Sequence, residues 1–495
     1  MVQRKKVAVI GGGVSGLAAA KAFDEKGHRV VGFERSHDFG GVWEPSRSYP
    51  DVQTQSPKEL YRFTDLPMPD DYPEWPKGPQ VHAYLHAYAG RHRLARLFRL
   101  NTQVVAMDRR ADGAPGWTLT LQAGGADWTE DFDFVAVCTG QFSEKNIISH
   151  PGQEAFEARG GRVLHSSEYT DPAMMQGQRV VVLGGSKSAT DIAVSAARHG
   201  ARQVTLVYRE NVWRLPYFIA GINFKNLLYI RAQEMQFNGW GRGPVKRAVA
   251  AACRPLIWAN FRGLEAVLKW QLGLRKWNMV PEEPIEKDVS CSVPIVTPGM
   301  FERFEDGSIV PIRGTFERYE GDEVVLTGGE RVGCDIAVLA VGWKLGVPYL
   351  AQQWRDRLIE PDGQYRVYRL SVNPDLPDMG FVGFNSSFCT VLSAEMVANW
   401  LVRYADGQLA HQPSDAEMRA DIEANLKWRR EERPAAQIYG GLCSAPFHFR
   451  HFDELLADMG AGRTRRSNPL TEQFRPPDAD AYGEMLDTLP RYAAG

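Results

Sequence analysis

"VAVIGGGVSGLAAA" runs from Val7 to Ala20, and "VVVLGGSKSATDIA" runs from Val180 to Ala193. Each is an apolar run, a glycine-led turn and a small-residue stretch of helical character. The first carries Gly11, Gly13 and Gly16 at GxGxxG spacing, whereas the second keeps only Gly184, with Ser186 and Ala189 in the other places. Glycine is 47 of 495 residues, so three fixed glycines arise by chance roughly 0.4 times along such a chain and the spacing alone decides little. The flanks decide it. Lys6 to Ile10 predicts a buried strand, Ser15 to Lys26 a helix closed by Gly27, and Arg29 to Phe33 a strand ending at Glu34. Val180 to Leu183, Ala189 to His199 and Gln203 to Tyr208 repeat the pattern, ending at Arg209.

Such strand-turn-helix units place backbone N–H groups and the positive helix end against a pyrophosphate. Glu34 lies where a carboxylate accepts hydrogen bonds from a ribose. In the second unit alanine is an accepted third residue, and Ser186 permits close approach while offering its hydroxyl. Lys187 and Ser188 complete that turn. A carboxylate at its strand end would repel a 2′-phosphate, whereas Arg209 pairs with one, helped by Lys187 and Arg214. The sequence therefore predicts two dinucleotide sites, the second selecting NADPH. A purely structural Arg209 stays open as the other reading.

Composition excludes several classes. Hydrophobic residues make up 44%, charged residues 24%, and the net charge is −2, so no global charge draws this chain to nucleic acid. The cysteines Cys138, Cys253, Cys291, Cys334, Cys389 and Cys443 contain no CxxC pair, which argues against a zinc site or redox-active disulfide and favours the cytoplasm. No apolar run is long enough to span a membrane, and no HExxH occurs. The expectation is no metal. His448, His451 and Asp453 are the one local cluster of note, read as part of a packed covering helix.

Two nucleotide units without CxxC resemble the flavin-containing monooxygenases along most of residues 1–400. "GGVWE" at Gly40–Glu44 is similar to that family's GG-[LV]-W stretch, and "VQTQSPKELYRFTDLPMPDDYP" from Val52 resembles its flavin-side segment. "GRVLHSSEYTD" resembles the end of its identifying motif through Gly161, His165 and Tyr169, with Arg159 where the family has Phe. "VAVCTG" at Val135 and "IAVLAVGW" at Ile336 resemble its paired strand ends. Lys187 replaces a usual Asn, and Gln55 aligns with the catalytic Asn of many members.

The resemblance implies that NADPH reduces FAD, O2 adds at flavin C4a, and the resulting hydroperoxide delivers one oxygen atom to nitrogen or sulfur of a small molecule. It also implies roles for residues. Gln55 would offer the catalytic amide, Val42 and Trp43 would line the isoalloxazine, Val104 would face the adenine, and His165 and Tyr169 would sit at the hinge. Baeyer–Villiger oxygenation, decarboxylation of the plant auxin-forming kind, and an uncoupled NADPH oxidase or flavin-binding sensor remain alternatives. Tyr169 in place of Trp leans towards heteroatom oxygenation.

The expected fold is α/β, with two Rossmann-like domains for FAD and NADP. The FAD domain takes residues 1–170 and 335–410, the NADP domain 171–334 with a helical insertion near 216–280, and a helical extension 411–495. From Gly241 to Lys276 there are eight Lys or Arg against one acid, Glu265. This stretch reads as a solvated basic face on covering helices, with a substrate lid or peripheral membrane contact as alternatives. Residues 305–332 read as a β-meander, and Ser414 as the start of a capped helix. A homodimer is compatible with all of this.

Overall fold

The two quoted runs form the middle strands of two five-stranded parallel sheets. In the first, the order is Met379–Phe381, Phe134–Val137, Lys6–Ile10, Arg29–Phe33 and Phe98–Arg99. In the second it is Ile309–Arg313, Gln203–Tyr208, Arg179–Leu183, Ile336–Leu339 and Arg162–His165. The computed structural model describes residues 3–237, 239, 244–288, 293–385, 387–433, 440–462 and 468–490.

A strand buried on both faces must be apolar, and both central strands are beyond their half-buried first residues, Lys6 and Arg179. Val7 and Val9 join Leu17 and Phe23 of the helix Val14–Glu25. Ala8 and Ile10 point the other way, into a core with Leu119 and Leu121. Those leucines belong to the three-stranded antiparallel layer Gln103–Arg109, Trp117–Ala123 and Ala126–Phe132. The second sheet repeats the arrangement. Val180 and Val182 share a core with Ile192 of the helix Lys187–Arg198, while Val181 and Leu183 meet Phe316 and Leu326.

Sheet membership corrects the expected division at two places. Arg162–His165 and Ile336–Leu339, assigned from sequence to the FAD domain, pair with each other in the second sheet. Ile309–Arg313, read as the opening of a meander, is instead a parallel edge strand beside Gln203–Tyr208. The meander is confined to Phe316–Glu320, Glu323–Leu326 and Arg331–Gly333.

The insertion is helical over Pro244–Ala252 and Arg254–Gln271, with Pro255 in the first turn of the second helix, where its missing N–H costs nothing. Its basic face is partly neutralised. Buried Glu265 holds Arg262 at 3.0 Å and Lys269 at 3.3 Å, and Lys276 meets Glu305 at 2.6 Å. The start of that basic stretch, 241–243, lies outside the described residues, as does Cys291. Leu256, Trp258 and Trp270 are exposed.

The last long helix of the first unit, Thr390–Ala405, is followed by the extension. There Asp415–Glu432 opens with the expected box: Glu417 N–H donates to Ser414 Oγ at 3.3 Å, and Ser414 N–H donates to Glu417 Oε2 at 2.8 Å. His448–Met459 follows and buries His448 and His451. Cys443 is disulfide-bonded, a bridge that isolated cysteines did not announce and that removes the cysteine argument for a reducing compartment. No helix among the described residues is long and apolar enough to cross a membrane.

Candidate active site

The glycine pattern of the two turns follows backbone geometry. The first position has positive φ in both, +108° at Gly11 and +148° at Gly184, so glycine stays. The second position is the residue preceding each helix, with φ −83° and ψ −167° at Gly13 and φ −95° and ψ −172° at Ser186. Any L-residue adopts those angles, and a Cβ on Gly13 would meet Cα of Gly41 at 3.4 Å, an ordinary contact, so the second position tolerates a side chain as Ser186 shows. At the third position a Cβ on Gly16 would fall 1.8 Å from the Gly11 carbonyl oxygen, whereas Ala189 is accommodated and fully buried. Neither helix start is capped by a side chain, exposed Ser186 included. Both are therefore open to an anion.

Glu34 lies across the mouth of the first turn. Gly12 N–H donates to its Oε2 at 2.6 Å and Ser36 N–H to its Oε1 at 2.8 Å. Gly40 and Gly41 then bring the chain back against Gly13. Val42 is 39% exposed, but Trp43 turns inward and donates through Nε1 to Tyr61 Oη at 2.8 Å. Trp43 is thus a core residue rather than an open wall. Val104 is buried at a register irregularity opposite Leu121, so only its backbone can meet a ligand.

At the second turn the arginines divide the work. Arg209 is 79% exposed at the strand end, and among the described residues its guanidinium meets Glu210 at 3.0 Å, so it is available to a phosphate. Arg214 is buried and donates to the Gly185 carbonyl at 2.5 Å, and burial pushes its pKa down to about 10. It braces the turn, and its Nη1 is buried without a hydrogen-bond partner among the described residues.

Lys187 corrects the sequence reading. Its ammonium is buried against Asp191 of its own helix, 3.4 Å from Thr297 Oγ1, and does not reach out to a 2′-phosphate. Asp191 also accepts from Thr297 Oγ1 at 2.5 Å and from Tyr49 Oη at 2.9 Å. Tyr49 belongs to a segment that laces the units together. Asp51 takes Ser195 Oγ at 2.9 Å, His199 at 3.1 Å and Arg198 at 3.3 Å. Further along, Gln53 Nε2 donates to Tyr217 Oη, Gln55 Oε1 accepts from Ile295 N–H at 3.1 Å, and Ser56 Oγ donates to the Phe388 carbonyl at 2.5 Å. Gln55 itself is exposed. Nothing in the sequence pattern marked Tyr49, Asp51 or Thr297.

His165 and Tyr169 lie at the junction but offer no polar atom to a nucleotide. His165 Nε2–H donates to the Gly342 carbonyl at 3.1 Å, while Nδ1 accepts from Ser167 Oγ at 2.9 Å. Burial lowers its pKa, holding it neutral in that tautomer. Tyr169 is fully buried with its hydroxyl 3.1 Å from Ser195 Oγ. Both side chains are held by partners within the chain. A cleft of about 540 Å³ opens there, lined among others by Arg35, Arg47, Lys145, Glu168 and Trp343.

A small apolar recess of about 10 Å³, room for one water, is lined by Leu215, Leu228, Tyr229, Val293 and Phe388, with Gln233 and His448. Tyr229 and Phe388 stack at 4.5 Å. Leu215 is bridged to Ile295, the residue held by Gln55, so the recess and the amide share a wall.

The family model described as flavin-binding monooxygenase-like matches residues 4–252. The chain is 28% identical over 518 residues to "Probable flavin-containing monooxygenase 1" of Arabidopsis thaliana, covering 96% of each. It is 29% identical over 480 residues to "Dimethylaniline monooxygenase [N-oxide-forming] 2" of Oryctolagus cuniculus, covering 92% of this chain and 83% of that one. The structure of S-allyl-L-cysteine S-oxygenase from Allium sativum shares the fold with a TM-score of 0.63 at 20% identity, covering 98% of this chain and 99% of that one. With two parallel sheets, two uncapped helix starts and a carboxylate opposed by an arginine, the chain belongs to the flavin-binding monooxygenase-like family, an oxidoreductase family working with FAD and NADPH.

Proposed function

We propose that this chain oxygenates a nitrogen or sulfur atom of a small molecule. The observation that carries this reading is the exposed Gln55 amide, held through Oε1 by Ile295 N–H at 3.1 Å in the strip that joins the two nucleotide units. So held, it can present a hydrogen-bond donor to the reacting atoms. The names of the rabbit N-oxide-forming relative and the Allium sativum S-oxygenase point the same way.

When bound, FAD and NADPH supply electron transfer, O2 activation and delivery of one oxygen atom. The chain's own residues bind and orient. The turn Gly11–Gly16 and Glu34 hold the pyrophosphate and ribose of FAD, and the turn from Gly184 to Ala189 holds that of NADPH. Arg209 reads the 2′-phosphate. Gln55 is anchored through Oε1 to Ile295, and its NH2 group makes no hydrogen bond among the described residues, which leaves a donor for the reacting centre.

Amines, sulfides and ketones are to be screened for substrate-dependent NADPH consumption with product analysis. Oxygenated amines or sulfides support the proposal; turnover of ketones alone overturns it. Gln55→Ala should keep its flavin while yielding less product per NADPH consumed. Unchanged coupling removes Gln55 from the mechanism.

A further inference from the structure

Behind the flavin-side loop, two imidazoles and a carboxylate converge. His82 and His86 stand four residues apart on the helix Gly78–Arg91, so both project from one face. Their rings are 4.7 Å apart. Asp38 faces them from the loop after Glu34. Its Oδ2 lies 3.3 Å from His82 Nε2 and 3.0 Å from His86 Nε2, and its Oδ1 is fixed by Phe39 N–H at 2.8 Å. The Phe39 carbonyl oxygen lies 3.0 Å from His82 Nε2. The three side-chain ligand atoms all fall within 4.8 Å of one another.

These separations suit a tetrahedral ion as well as the hydrogen bonds now present. Zinc bonds of about 2.0–2.1 Å in a tetrahedron set ligand atoms about 3.3 Å apart along each edge. The Asp38–His82, Asp38–His86 and Phe39–His82 separations of 3.3, 3.0 and 3.0 Å are close to such edges. Each Nε2 is now hydrogen-bonded to an oxygen, and moving its proton to Nδ1 turns it into a ligand without net charge change. Two imidazoles with oxygen donors select a borderline transition metal over Mg2+ or Ca2+.

We propose that Asp38, His82, His86 and the Phe39 carbonyl bind one divalent transition-metal ion of the Zn2+ class. The ion clamps the helix Gly78–Arg91 to the loop that presents Gly40 and Gly41 to the first nucleotide turn. The approach is already tight, for a Cβ on Gly40 would lie 2.7 Å from His82 Cδ2. The site is structural, outside both nucleotide turns, and it stands independently of the substrate proposed above.

The test uses untagged, chelator-washed, flavin-loaded protein in equilibrium dialysis against Zn2+, with metal and flavin content measured together. One Zn2+ per chain is expected, with a rise in melting temperature on loading. His86→Ala and Asp38→Asn should each keep flavin, weaken Zn2+ affinity by about tenfold or more, and abolish the rise. His411→Ala, at a separate exposed histidine beside Glu417, should change neither. Failure of the wild type to bind Zn2+, wild-type affinity in either ligand variant, or loss of binding in His411→Ala overturns the proposal.

Discussion

Replacing Arg209 with Ala should weaken NADPH and leave NADH alone. The size follows from exposure. A charge-assisted hydrogen bond contributes about 1.5–3 kcal/mol, but a well-exposed ion pair contributes about 0–1 kcal/mol. With 79% of its side chain in solvent and Glu210 competing at 3.0 Å, Arg209 belongs between these ranges. About 1.4 kcal/mol, or roughly tenfold in the Michaelis constant for NADPH, is the expected loss. NADH lacks the 2′-phosphate and should bind as before. Arg214→Met supplies the contrast. It removes the brace on the Gly185 carbonyl and should damage both nucleotides equally. Initial-rate kinetics with each nucleotide give the ratio directly. An equal rise for NADH and NADPH in Arg209→Ala, or a selective loss of NADPH in Arg214→Met, refutes the assignment.

The other predictions concern stability. Lys187→Met leaves the buried Asp191 carboxylate without its cation and should cost about 3–5 kcal/mol, read as a lower urea midpoint; a midpoint unchanged from wild type contradicts the buried pair. His451 is buried beside Asn385 Nδ2 at 3.1 Å, and burial pushes its pKa down to about 3. Its neutral form therefore contributes stability that is complete above about pH 6.5, its unfolded value, and drains away as the pH falls towards 3. Glu395 and Glu234, raised by burial to about 7 and about 8, act with the opposite sign. The clean readout is accordingly the difference between wild type and His451→Gln, which should shrink by about 1.6 kcal/mol from pH 6.5 to pH 5. A constant difference contradicts a neutral His451.

The nucleotide units were legible because their demands are local. A continuous apolar strand, a glycine at positive φ and a helix closing at Gly27 or Gly200 lie within about thirty residues of one another. Arg209 could be placed for the same reason. Lys187 could not, although its i,i+4 spacing to Asp191 was in view, because what turns it inward is Thr297 and Tyr49, 106 and 142 residues from Asp191. Trp43 was similarly placed by Tyr61. The strand Ile309–Arg313 looked like a hairpin arm because short strands flanked by glycine turns read alike, and only its parallel partner distinguishes it. His82 and His86 share a helix face in sequence, but Asp38 joins them from 44 and 48 positions earlier in the chain.

The lacing of Tyr49 through Ser56 carries a kinematic consequence. This strip is bonded on both sides of the divide: its side chains reach Asp191, Ser195, Tyr217 and Ile295, while Thr54 N–H donates to the Pro76 carbonyl, Gly78 N–H to the Val52 carbonyl and Ser56 Oγ to the Phe388 carbonyl. Any swing of the halves relative to one another must break one of these two sets, and the distance between Gln55 and Trp43 would read which one gives way.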